Sequence, residues 1–178
     1  MKEARQHTAS LLFRRFALVE LLSIALLASL GIATKPLVMP IVRLAARPLL
    51  LPGGAVAAGY AMMWLVLSAA LVRKPGVATL AAVVQALLVV VTGTPGSHGP
   101  VSLVTYVGPG IAADIAIAVV PLPPSRLLPC LAGGGAAGAC GMFLTNLVFY
   151  RLAALPLTVA VCGAIVSGAL GGIAAWAI

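Results

Sequence analysis

Carboxylates are nearly absent from this chain. Glu3, Glu20 and Asp114 are its acidic side chains, against 11 Lys and Arg, and histidine is limited to His7 and His98. A histidine-built metal site needs more ligands than that, which argues against nickel or cobalt transport and against a membrane metalloprotease. The same poverty of Asp, Glu and His argues against an intramembrane enzyme acting on lipid or isoprenoid substrates, since general acid–base work draws on those groups. Charge of either sign is scarce, at 8% of 178 residues, while hydrophobic residues make up 62% and the mean hydropathy is +1.18. A soluble domain with a charged surface is thereby excluded, and the chain is an integral membrane protein. Cysteine offers no framework either. Cys130, Cys140 and Cys162 are an odd number inside apolar runs, with no metal or redox spacing, and read as small packing residues.

What is present is a series of apolar runs divided by prolines, glycines and charges. They cover about Phe16 to Thr34, Gly53 to Val72, Val77 to Val91, Val101 to Val120, Leu127 to Phe149 and Pro156 to Ile178. A span needs roughly 20 apolar residues, so the expected fold is all-α: one polytopic domain over residues 1–178, a compact bundle of six transmembrane helices. The third run is short, and either extends a turn into its flanks or meets a locally thinned bilayer. Between the first two runs, Lys35 to Pro52 carries Pro36, Pro40, Pro48 and Pro52, which predict a loop rather than helix. That loop is open to two readings, a lid over a site or a connector lying at the lipid surface.

Orientation follows from the basic residues. With both termini cytoplasmic, the inner side holds Lys2, Arg5, Arg14, Arg15, Arg73, Lys74 and Arg126, and the outer side Lys35, Arg43, Arg47 and Arg151. This scatter over both ends of several spans also accounts for the net charge of +8 without nucleic acid, whose phosphates require a continuous basic face. Topology and anionic lipid explain it. Arg14-Arg15 before an apolar stretch, with Gly31 to Ala33 as a cleavage site, has the outline of a secretory or twin-arginine leader, but the run is too long for a signal core, and retention is expected.

The segment from Arg73 to Pro100 is the most informative. An Arg73-Lys74-Pro75-Gly76 turn, expected inside, opens an apolar run carrying one amide, Gln85, which ends in the polar loop Thr92 to Pro100 with His98, expected outside. Enzyme patterns near it dissolve on inspection. Ser97 beside His98 lacks a carboxylate to orient the imidazole, and the Gly108-x-Gly110-x-x-Ala113 pattern has no strand before it.

Polar side chains within the runs are few enough to weigh singly. Glu20, about one turn inside the first run, is expected to pair with Arg14 or Arg15 at the interface. Asp114 has no basic residue at its depth, and serves either a ligand or a structural or coupling role. Tyr60, Trp64, Gln85, Tyr106, Asn146 and Tyr150 fall at positions that place them around one outward-facing cup, roofed by the His98 loop. Flat rings with a few amides and hydroxyls suit a small planar organic molecule. The alternative for the tyrosines is an interfacial aromatic belt, and for the amides helix packing. Gly108-Pro109-Gly110 is expected to break the fourth run between Tyr106 and Asp114, freeing carbonyls toward a wet cavity.

Small residues recur every four positions as Ala25, Ser29 and Ala33, as Gly134 and Gly138, and as Gly163, Ser167 and Gly171 beside Gly168 and Gly172. Such stripes let backbones touch, either inside the bundle or against another membrane subunit.

The order of a basic tail, Ala25-x-x-x-Ser29-x-x-x-Ala33, a proline-containing first loop, Arg73-Lys74-Pro75-Gly76, Gly93-Thr94-Pro95-Gly96 and Gly110-Ile111-Ala112-Ala113-Asp114 resembles the substrate-capture (S) component of energy-coupling-factor (ECF) vitamin transporters, and is most similar to the YkoE type associated with thiamine and hydroxymethylpyrimidine. The resemblance implies a six-helix subunit that binds a vitamin or precursor near the outer face. It implies docking through Ala25, Ser29 and Ala33 to a transmembrane coupling (T) subunit with two ATPase subunits. It implies no cofactor, no metal and no covalent chemistry in the chain itself, in contrast to a proton-coupled secondary transporter with Asp114 as relay. Asp114 stands where the YkoE type has an acidic residue.

Overall fold

The computed structural model describes residues 16–46, 53–93 and 101–178, apart from a few side chains, Arg43 and Tyr150 among them. The described residues form six α-helices and no strand: α1 (Leu18–Ala46), α2 (Gly53–Val72), α3 (Val77–Thr92), α4 (Ser102–Val119), α5 (Leu127–Thr145), continued by a π-helical turn (Asn146–Tyr150), and α6 (Ala154–Ala177). The helices alternate in direction, so the Arg73–Gly76 turn, the start of α1 and the α4–α5 connection share one end, called the Arg73 end below. Five helices are long and apolar enough to cross a membrane. The sixth, α3, has 16 residues, or about 24 Å at 1.5 Å per residue. It needs little lipid contact, because Val77, Ala78, Ala81, Ala82, Ala86 and Val89 are all buried among its neighbours.

Two expectations fail in instructive ways. The first helix does not stop before Pro36; it runs to Ala46 through Pro36 and Pro40. Each proline removes one donor, but the two lie four residues apart and therefore share one helix face, which is exposed. A transmembrane helix tolerates freed carbonyls of this kind, so the prolines cost hydrogen bonds without ending the element. Pro48 and Pro52 lie outside the described residues. The fourth helix is likewise unbroken through Gly108-Pro109-Gly110. Its glycines serve close packing instead. A Cβ on Gly110 would sit 2.6 Å from the Ala82 Cβ and 2.9 Å from the Ala78 carbonyl of α3, and Pro109 is buried against Gly141 of α5.

The tightest packing joins α2, α5 and α6. Any side chain at Gly134, Gly138, Gly168, Gly171 or Gly172 would collide with the backbone of the facing helix. Here the small residues are consumed as contact between backbones. Ser167 completes the seam between α6 and α2, donating to the Val56 carbonyl at 2.7 Å and accepting from the Gly59 N–H at 2.9 Å. Helix α2 is the hub, touching all five others, whereas α1 packs on α2 and α3 alone among the pairs with substantial contact. The buried stripe of α1 is Ile24, Ala28, Gly31 and Ile32, and its remaining surface is open: Leu22, Leu26, Ser29, Ala33 and Leu37 are all exposed.

Candidate functional site

Polar chemistry is concentrated at two places, one toward each end of the bundle. At the Arg73 end, a backbone reversal is fixed by Arg73 (φ 56°) and Gly76 (φ 86°), both left-handed, so that α3 starts directly beside α4. Asp114 of α4 closes that start. Its carboxylate accepts the Ala78 N–H at 3.2 Å, the Thr79 N–H at 2.8 Å and the Thr79 hydroxyl at 2.6 Å. A helix N-terminus leaves its first N–H groups without partners and favours negative charge, and α3 has no cap of its own, so Asp114 acts as a cap supplied by another helix. Nearby, Glu20 accepts the Ala17 N–H at 2.8 Å, capping α1, and pairs with Lys74 at 2.6 Å. The partner expected for Glu20 was Arg14 or Arg15, which lie outside the described residues; the partner found is Lys74, whose Nζ also stands 5.5 Å from the Phe16 ring centroid. A cleft of about 200 Å³ opens between this turn and the α4–α5 connection, lined by Arg73, Lys74, Asp114, Ile117 and Leu122 among others. Its described acidic group is already engaged by α3.

Toward the other end, four of the expected site residues meet around α1. The Trp64 ring and the Gln85 amide converge on Gly31, where an added Cβ would lie 2.8 Å from Trp64 Cγ and 3.0 Å from Gln85 Nε2. The Tyr60 ring stands edge-on to Trp64, with centroids 6.2 Å apart. Its hydroxyl shares a hydrogen bond with Thr34 and reaches the Gly31 carbonyl at 3.4 Å. One residue further along α1, Lys35 donates to the Tyr106 hydroxyl, its Nζ 5.1 Å from that ring's centroid. Gln85 is 4% exposed, and the Trp64 indole Nε1 is buried with no hydrogen-bond partner among the described residues. Unmade bonds of that kind are rare in folded proteins and mark positions with another use.

The remaining expected residues are placed elsewhere or lie outside the description. Asn146 is buried, but its side chain is occupied by the α5–α6 connection: Oδ1 accepts the Leu152 N–H at 2.8 Å and its carbonyl accepts the Arg151 N–H at 2.9 Å. Tyr150 ends the π-helical turn and its side chain lies outside the described set; so does His98. Asp114 lies at the Arg73 end. The docking candidates Ser29 and Ala33 are exposed on α1 and Ala25 is half-buried. Sequence reasoning missed Gly31, Thr34 and Lys35. The signal was available in the spacing Ile24, Ala28, Gly31, Ile32, Lys35, which holds one helix face, but Pro36 was given the weight of a helix end.

These described residues contain no group of three or more His, Cys, Asp or Glu placed to hold a metal ion. No curated protein sequence matches the chain. Among solved structures, a crystal structure of an S-component of an ECF transporter aligns with a TM-score of 0.75 and 17% identity, covering 91% of this chain and 83% of that one, a likeness that establishes the fold. A protein-family model described as the permease component of an ABC-type cobalt transport system matches residues 19–140, from the first turn of α1 into the second half of α5. The chain is therefore a multi-pass membrane protein with the S-component fold, and it belongs to the family of ABC-type cobalt transport system permease components.

Proposed function

We propose that this chain is the membrane-embedded substrate-binding subunit of an ECF-type importer, and that it captures a small aromatic vitamin or precursor, thiamine or hydroxymethylpyrimidine being the nearest chemistry, at the end opposite Arg73. The observation that carries the reading is the convergence of Trp64, Gln85, Tyr60 and Tyr106 on one stretch of α1, with an indole N–H left without a partner. Rings offer stacking faces, and a few fixed donors set orientation, which is how small planar ligands are held. Lys and Arg favour the cytoplasmic side, so the Arg73 end faces in and the cluster faces out.

Cobalt, which the family description names, is a poorer match to these groups. A divalent transition metal seeks imidazole, thiolate or carboxylate, whereas the cluster offers an indole, an amide, phenols and an ammonium. Asp114 gives little support to a proton relay, because both its oxygens are engaged in capping α3. The open face of α1 supports docking of a T subunit along Ala25, Ser29 and Ala33: the comparable stripes of α5 and α6 are used up inside the bundle, and this one is not. ATP hydrolysis then belongs to the ATPase partners. The test is ligand-induced thermal stabilisation of the purified protein across a panel of vitamins, their precursors and Co²⁺. An aromatic vitamin or precursor is expected to stabilise; stabilisation by Co²⁺ alone would refute the reading.

A further inference from the structure

The cluster has a charge, and the described residues hold no carboxylate there to balance it. Lys35 brings an ammonium into the partly buried space between α1 and α4, where it donates to the Tyr106 hydroxyl. Each of the two described carboxylates is spent at the far end, Glu20 on Lys74 and the α1 start, Asp114 on the start of α3. Glu20 is fifteen residues from Lys35 along α1, about 22 Å at 1.5 Å per residue. Asp114 is eight residues from Tyr106 along α4, about 12 Å by the same rise. The third carboxylate, Glu3, lies outside the described residues. An ammonium withdrawn from water without a counter-charge is costly, and the cost falls when a partner supplies lone pairs or negative charge.

A second group has the same preference. The Trp64 indole nitrogen is a donor and nothing else, and it is buried without an acceptor. The Tyr60 hydroxyl is already engaged with Thr34 and Gly31. The site thus holds surplus donors and a surplus positive charge. Aromatic rings attract cations, which would argue for a cationic ligand. Here the Lys35 ammonium itself lies at the hydroxyl edge of Tyr106, so a second cation would meet like charge at close range.

We propose that the substrate of this site carries no positive charge: it is a neutral or anionic heteroaromatic molecule that presents acceptors to the Lys35 ammonium and the Trp64 indole N–H. The inference rests on the reading of the cluster as the substrate site. Within the chemistry proposed above it selects the uncharged pyrimidine over thiamine, whose thiazolium ring is a permanent cation.

The test measures dissociation constants of the full-length protein in lipid nanodiscs for hydroxymethylpyrimidine and for thiamine, in the wild type and in Lys35→Gln. The wild type is expected to bind hydroxymethylpyrimidine at least tenfold more tightly than thiamine, and Lys35→Gln to move that ratio toward unity. A smaller preference, a preference for thiamine, or a ratio that Lys35→Gln leaves in place overturns the charge rule while the aromatic site stands. Failure of both compounds to bind below millimolar concentration overturns the rule together with the assignment of the site on which it rests.

Discussion

The two ends of the bundle use the same few polar residues in opposite ways. At the Arg73 end the described acidic groups are matched: Asp114 takes three donors from α3, and Glu20 takes Lys74 and the Ala17 N–H at the start of α1. Toward the other end donors accumulate, and among the described residues there is no carboxylate beside them and no acceptor for the Trp64 N–H. The small residues divide similarly. Those of α5 and α6 lie in backbone contact with each other and with α2, while Ser29 and Ala33 of α1 face outward. Satisfied groups and buried stripes hold this molecule together; the groups left over are the ones available to a ligand or a second subunit.

That division can be broken by substitution, beginning where the effect is largest. Gly134→Leu or Gly171→Leu forces a side chain into the facing backbone and is expected to abolish recovery of folded protein, since overpacking a rigid seam costs up to about 3 kcal/mol or more; size-exclusion chromatography after mild extraction reads it. Asp114→Ala removes the cap on α3 and should lower stability by about 2 kcal/mol, leaving ligand affinity within a factor of two, as followed by chemical unfolding alongside ligand titration. Trp64→Phe keeps a ring and deletes the unpartnered donor. It should leave stability unchanged or slightly raised and weaken ligand binding about tenfold, or about 1.4 kcal/mol. The smallest change in stability is expected from Ser29→Leu, within about 0.5 kcal/mol, because the position is exposed. Under the proposed function, its expected consequence is loss of co-purification with a T subunit. Equal destabilisation by Ser29→Leu and Gly134→Leu would erase the contrast between the two stripes.

How much of this was legible beforehand depended on whether a residue's use is local. Helix count and the limits of α2 to α6 follow from apolar runs bounded by Gly, Pro and charge, and the structure departs from them by a few residues at most. The extension of α1 past Thr34 did not follow, because a proline's tendency to end a helix is a local rule, and the bundle overrides it at Pro36 and Pro40. Lys35 was lost with that extension. Trp64, Gln85, Tyr60 and Tyr106 were readable as a group because topology alone places them near one depth. The roles of Asp114 and Asn146 were not, since both rest on backbone N–H groups of other segments that no sequence pattern reveals: the start of α3 for one, the turn before α6 for the other.

The central claim is that the end opposite Arg73 holds a small aromatic substrate. Native mass spectrometry of the full-length protein, extracted mildly from cells and never exposed to added ligand, weighs whatever that site retains. The account predicts a single organic adduct of the mass of a small heteroaromatic vitamin or precursor, present in the wild type and in Asp114→Ala, and diminished in Trp64→Phe. A bare protein mass that stays unchanged after incubation with the vitamin panel, or an adduct retained undiminished by Trp64→Phe, would contradict it.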